Sequence, residues 1–244
     1  MLRLGCDLDG VVADLEGALM REAHRLWPSL DPSNARNTDP DGRGGDDEEL
    51  TEEEREVAPP TLALTAHQQH EIWGQVHRRV NFWETLEELE RGVVSRLADV
   101  ARAKRWEVIF LTSRPHSAGD TVQAQSQRWL ARCGFAMPSV FVVHGSRGKI
   151  ADALDLDVVI DDRPENCLDI VLESKARAIL VWRGDIAAVP GRARQLGIGT
   201  VSSLDACLTI LEEADPRSTD GPRLVDRLKR LLGLRSTDPG VAAR

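Results

Sequence analysis

The stretch Cys6-Asp7-Leu8-Asp9-Gly10-Val11-Val12-Ala13-Asp14 decides how the rest of the chain is read. It closes a short apolar run, Leu2 to Leu8, of the kind a buried strand presents. Two carboxylates two residues apart stand where that strand would deliver its C-terminal end. Alternation along a strand points Asp7 and Asp9 to the same side, and Gly10 lets the chain turn sharply while leaving backbone groups exposed. Two carboxylates this close repel unless one is protonated or a cation lies between them. A hard divalent ion such as Mg would resolve the conflict through oxygen ligands. Read alone, the pair also fits a turn or a helix cap.

Working outward, four more short, β-branched apolar runs read as buried strands: Glu107 to Thr112, Val140 to Val143, Asp157 to Ile160 and Ala178 to Trp182. Amphipathic stretches at Gly92 to Arg105, Ala118 to Cys133, Gly148 to Leu154, Asn166 to Ser174 and Leu204 to Ala214 alternate with them, the spacing of βαβ units. The fold class is therefore α/β, a Rossmann-like parallel sheet with helices on both faces. About 95 residues separate the first two strands, far more than one crossover helix needs, so a small helical cap is expected as an insertion after the first strand. Leu15 to Leu26 and Thr65 to Phe82 are its helix candidates. Residues 28–60, acidic and rich in Gly and Pro, read as a flexible excursion within it. The expected organisation is a core of residues 1–14 and 92–214, a cap of residues 15–91, and a C-terminal linker, short helix (Pro222 to Leu232) and tail over residues 215–244.

The 244 residues carry 41% hydrophobic and 29% charged side chains, which sets aside wholesale disorder and fibrous folds. The net charge of −9, its excess concentrated between Asp39 and Glu56, argues against nucleic acid or an anionic membrane as partner. There is no run of membrane-spanning length and no signal-peptide layout at the N-terminus, so a cytoplasmic location is expected. Cys6, Cys133, Cys167 and Cys207 are too scattered for a zinc site or a disulfide framework and read as buried thiols. Nothing in the sequence points to an oligomeric state.

Three further features fall at strand ends. The second strand closes in Leu111-Thr112-Ser113-Arg114-Pro115, where hydroxyls and free backbone N–H groups suit a phosphate. Lys149 opens the helix after the third strand, and Asp161-Asp162-Arg163-Pro164-Glu165-Asn166 closes the fourth with a second acidic pair. In open α/β sheets that edge is where ligands bind. In order, DLDGVVAD, LTSR, a lone Lys and a DD pair followed by RPEN, this set resembles the haloacid dehalogenase (HAD) superfamily of phosphohydrolases over residues 1–14 and 92–200. Val12-Ala13-Asp14 and the Phe82-Trp83 stretch look like its 5'(3')-deoxyribonucleotidase branch.

The resemblance implies a Mg-dependent phosphomonoesterase acting on a small phosphorylated substrate, a nucleoside monophosphate or another metabolite such as a sugar phosphate. Asp7 would be the nucleophile and Asp9 the general acid and base. Thr112, Ser113 and Lys149 would bind the phosphoryl group. Mg would be held by Asp7, Asp9 and the Asp161-Asp162 pair, with Asp162 favoured by position as the direct ligand. Phe82, Trp83 and Arg114 are the candidates for substrate contact from the cap side. A non-catalytic binding protein on the same fold has no chemical need for this whole set, and a nucleic-acid end-processing phosphatase would want a basic stripe that the sequence lacks.

Overall fold

The computed structural model describes residues 1–29 and 64–214. The acidic segment and the C-terminal helix and tail expected from the sequence lie outside the described residues. Six strands form one sheet: β1 (Arg3–Asp7), β2 (Glu107–Thr112), β3 (Ser139–Val142), β4 (Val158–Asp161), β5 (Arg177–Val181) and β6 (Gly199–Val201). All pairs are parallel, in the order β3-β2-β1-β4-β5-β6. The α/β class expected from the sequence is what the chain adopts. β6 is a strand the sequence reading lacks, because Gly-Thr-Val is too short to show a pattern.

The helices are α1 (Leu15–Leu26), α2 (Ala66–Arg78), α3 (Val93–Lys104), α4 (Val122–Arg132), α5 (Arg147–Ala153), α6 (Pro164–Glu173), α7 (Gly191–Gln195) and α8 (Leu204–Ala214). Each strand is apolar on both sides because each side has a helical layer to face. From β2, Val108 and Phe110 join the layer of α1, α2, α3, α4 and α8. Ile109 and Leu111 join the layer of α5, α6 and α7. Trp73 and Val76 of α2 lie in the same apolar cluster as Leu97 of α3, so the insertion shares the core of the sheet. Among the described residues no helix is long and apolar enough to cross a membrane. Cys6, Cys167 and Cys207 are buried, and all four cysteines are free thiols.

Two local features position the site. The chain runs β1, β2, β3 to one side of β1 and then β4, β5, β6 to the other, so strand order reverses between β1 and β4 and opens a crevice at their carboxyl ends. The insertion leaves and rejoins the core at one joint. Ala13 bridges Glu88, the Asp14 N–H donates to the Glu87 carbonyl at 2.9 Å, and the Leu89 N–H donates to the Val12 carbonyl at 2.9 Å. Asp14 then caps α1, its carboxylate accepting from the Gly17 N–H at 2.9 Å.

Candidate active site

Asp7 ends β1 at the strand-order reversal, 7% exposed at the floor of a cleft of about 250 Å³. Its partner is Arg147. That guanidinium donates from Nη2 to Asp7 Oδ1 at 2.9 Å and to Ser113 Oγ at 3.0 Å, and its Nε stands 3.9 Å from Asp161 Oδ2. Its other terminal nitrogen, Nη1, is buried and has no hydrogen-bond partner among the described residues. A buried guanidinium donor left open costs free energy unless something arrives to accept from it. Asp7, Ser113 and Arg147 all line the cleft, so an acceptor entering it meets all three.

Arg147 reaches this position through helix phase. Ser146 is the N-cap of α5, its hydroxyl accepting from the Lys149 N–H at 3.3 Å, which makes Arg147 the first helical residue. Gly148 lets the helix press on α6, since a Cβ there would meet the Asp169 carbonyl at 2.2 Å. Lys149 lies two positions further on, about 200° around the axis, and is exposed. It does not line the cleft. The expectation for Lys149 as a phosphate ligand is thus corrected. The α5 cation that faces the cleft is Arg147, and the Ser at position 146 was the signal that could have set the helix phase.

Asp9 is gripped by a different arginine. Arg114 donates from Nε to Asp9 Oδ2 and from Nη2 to Oδ1, both at 2.8 Å, the two-pronged geometry that suits a planar guanidinium. Arg114 is 1% exposed. Its third edge donates to Ser126 Oγ at 2.9 Å, and its charge sits 4.9 Å from the Trp83 ring and 6.0 Å from the Trp129 ring. Phe82 and Trp83 are buried at 1% and 0%, with the Trp83 indole N–H donating to the Pro115 carbonyl at 2.9 Å. These three were expected to touch substrate. Instead they are interior: Trp83, with Trp129, walls the box in which Arg114 holds Asp9, and Phe82 packs edge-on against Trp83, because large rings at the end of an insertion gain most by burial.

Of the remaining expected residues, Ser113 and Asp162 line the cleft, whereas Thr112 and Asp161 do not. Thr112 Oγ1 accepts from the Arg114 N–H at 3.4 Å, at the buried end of β2. Asp161 is 1% exposed and turned inward. Its oxygens accept from the Asn166 side-chain amide at 3.1 and 3.0 Å, and Oδ1 also accepts from the Arg163 N–H at 2.9 Å. That set makes Asp161 a support for the turn after β4, and leaves Asp162 as the carboxylate that faces the cleft.

The electrostatics fit a cation here. Burial, then the charge of Asp161, holds the Asp7 carboxyl well above the usual range, with Arg147 opposing and Asp162 and Asp9 adding to the rise. Burial and Asp161 push Asp162 up to about 7. Gly10, at φ +80°, packs so closely on Asp162 that a Cβ would lie 1.9 Å from Oδ2. The turn after Asp9 is therefore built around the Asp162 carboxylate. Among the described residues no group of three or more His, Cys, Asp or Glu side chains is placed to hold a metal ion, so a cation at the cleft would rest on the carboxylates of Asp7 and Asp162 with backbone oxygen or water completing its shell.

The fold and the cleft together define an open, doubly wound α/β protein with an acidic, arginine-braced crevice at its strand-order reversal. No protein-family model matches the chain, and no curated protein matches it. Among solved structures, a crystal structure described as that of a "putative beta-phosphoglucomutase from Thermotoga maritima" matches at 16% identity and a TM-score of 0.48, covering 87% of this chain and 99% of that one. A likeness that distant carries nothing about function.

Proposed function

We propose that this chain is a Mg-dependent phosphomonoesterase working through an aspartyl-phosphate, as its resemblance to the HAD phosphohydrolases implies. The observation that carries the reading is the Arg147 guanidinium, a buried cation placed on both Asp7 and Ser113 where they line the cleft. A phosphoryl oxygen is an acceptor of the right charge for it.

In this reading an Asp7 carboxylate oxygen attacks phosphorus and forms the Asp7 O–P bond while the ester P–O bond breaks. Asp9, aimed by Arg114, gives a proton to the departing alkoxide. It then takes a proton from water as the water oxygen attacks phosphorus, releasing inorganic phosphate and restoring the Asp7 carboxylate. Arg147 and the Ser113 hydroxyl hold the phosphoryl oxygens as charge shifts onto them. Mg, held by the carboxylates of Asp7 and Asp162 and the backbone carbonyl of Asp9, would neutralise Asp7 enough for an anionic phosphate to approach. The substrate is a small phosphate ester, a nucleoside monophosphate on the likeness of the first motif to the nucleotidase branch, with a sugar phosphate as the competing class.

The test is inorganic phosphate release from a panel of 5'- and 3'-deoxyribonucleotides, ribonucleotides, sugar phosphates and p-nitrophenyl phosphate, with Mg and with EDTA. Turnover should require Mg and fall by about 10³-fold or more in Asp7→Asn. Well-folded, Mg-loaded protein that releases phosphate from no member of the panel overturns the reading.

A further inference from the structure

Beyond Asp9 the cleft continues into a half that phosphoryl transfer does not use. It is lined by Ala13, Leu15, Leu89, Val181, Trp182 and Gly184, with the charged Asp14, Glu16 and Arg183 beside them. Trp182 is the large side chain in this wall. It is half-buried, packed on the apolar layer of α5, α6 and α7, and lines the cleft.

The ring is anchored from three directions. The Trp182 backbone N–H donates to the Val201 carbonyl at 2.8 Å, extending the β5–β6 ladder by one residue. Its indole N–H donates to the Asp185 carbonyl at 2.9 Å. Gly184 closes over the same edge, where a Cβ would lie 3.3 Å from the indole nitrogen. The next residue, Arg183, donates to the carbonyls of Gly10 and Val11 and, at 2.7 Å, to Glu90. Glu90 in turn accepts from the Leu204 and Asp205 N–H groups at the start of α8, at 2.9 and 3.0 Å. Arg183 therefore ties the loop that carries Trp182 to the backbone immediately after Asp9.

A proton donor and an aromatic surface are thus fixed on one frame, with apolar side chains between them. The leaving group departs from phosphorus toward Asp9, so its body must extend into this half of the cleft. Phe82 and Trp83 are buried behind Arg114 and offer it nothing.

We propose that Trp182 is the specificity-determining residue of this site, a fixed platform on which a planar ring carried by the leaving group stacks. The substrate class is a phosphate monoester whose alcohol bears such a ring, as a nucleobase does. This rests on the phosphomonoesterase reading above and narrows it. Since every base has a π-face, a stacking platform favours ring-bearing esters as a class and discriminates weakly among bases.

The experiment compares kcat/KM for thymidine 5'-monophosphate and 2-deoxyribose 5-phosphate, which share a primary alkoxide leaving atom and differ in the base. Wild type, Trp182→Leu and Trp182→Phe are assayed with Mg, with p-nitrophenyl phosphate as a general phosphatase probe. Wild type should favour the nucleotide about tenfold. Trp182→Leu should lose most of that preference through KM for the nucleotide, and Trp182→Phe should keep most of it. Equal use of the two esters by wild type, or an equal fall for both in Trp182→Leu, overturns the platform while leaving the phosphatase reading standing. Release from none of the three probes overturns the platform, and release from none of the wider panel overturns the phosphatase reading as well. Should Trp182→Leu fail to fold by thermal melt, the wild-type preference decides alone, and its absence overturns the proposal.

Discussion

Arg114 and Arg147 are both buried, and each pairs with one of the two strand-end aspartates, yet they stand in opposite situations. Arg114 spends its guanidinium on Asp9 and Ser126 and is walled by Trp83 and Trp129. Arg147 holds Asp7 by a single prong, shares that prong with Ser113, and has a buried Nη1 that no described residue accepts from. A fully satisfied buried ion pair is a fixture that sets geometry. A buried cation with a vacant donor is a receptor. The same residue type at the ends of two neighbouring strands therefore divides positioning from binding, and it does so through how many of its donors the protein itself consumes.

That contrast breaks most severely at Arg114. Arg114→Ala leaves Asp9 facing an emptied aromatic box, and should cost about 3–5 kcal/mol of stability and lower Tm by roughly 10 °C. Thermal unfolding checks this, and Arg114→Lys should recover only part because an ammonium cannot make the two-pronged contact. Arg147→Ala should act in the other currency. It is expected to lower kcat/KM about 10²–10³-fold, and to lower Tm as well because Asp7 loses its buried partner, so activity is compared at a temperature where the variant is folded.

The acidic pole supplies a pH signature. Asp162 is raised in the folded protein from its ordinary value near 3.8 to about 7 by burial and Asp161. A carboxyl raised on folding contributes stability that is fully present below its unfolded value and lost as pH rises through its folded value. The Tm of metal-free protein should accordingly fall between about pH 4 and pH 7. Adding Mg at pH 7 should restore it, and Asp162→Asn should flatten the slope. A metal-free Tm that climbs over that range would remove the carboxylate crowding on which the cation argument stands. The smallest effect belongs to Lys149→Ala, which should shift stability by less than about 0.5 kcal/mol and phosphate release by less than about twofold. A large loss there would dissolve the distinction between the two faces of α5.

The sheet was legible in the sequence because a parallel strand buried on both faces leaves a continuous apolar run, as Val108 to Leu111 and Val158 to Ile160 do. The strand-end carboxylates were legible for a related reason, since Asp at the close of such a run has nowhere polar to go except the sheet edge. Lys149 and Arg147 show where that kind of reading stops. Being near a strand end does not say which face of the next helix a side chain takes, and two residues of phase separate the crevice from solvent. The aromatic pair failed differently. Phe82 and Trp83 advertise a binding surface by composition, but only packing tells whether a ring ends up inside or on a wall. Trp182, at the end of an apolar strand, looked like core from the sequence and is the ring that lines the cleft.

The joint at Ala13 and Glu88 has a consequence for how such a chain can change over time. Both ends of the excursion leave the sheet side by side, held there by backbone hydrogen bonds, so the distance its chain must close is fixed whatever its length. Doubling the length of what lies between them costs about 0.6 kcal/mol in closure entropy, less than a single good core contact. Descent can therefore lengthen or shorten the connection between α1 and α2 while those helices and Trp83 keep their places on the core, so the joint works as a socket for connections of different length.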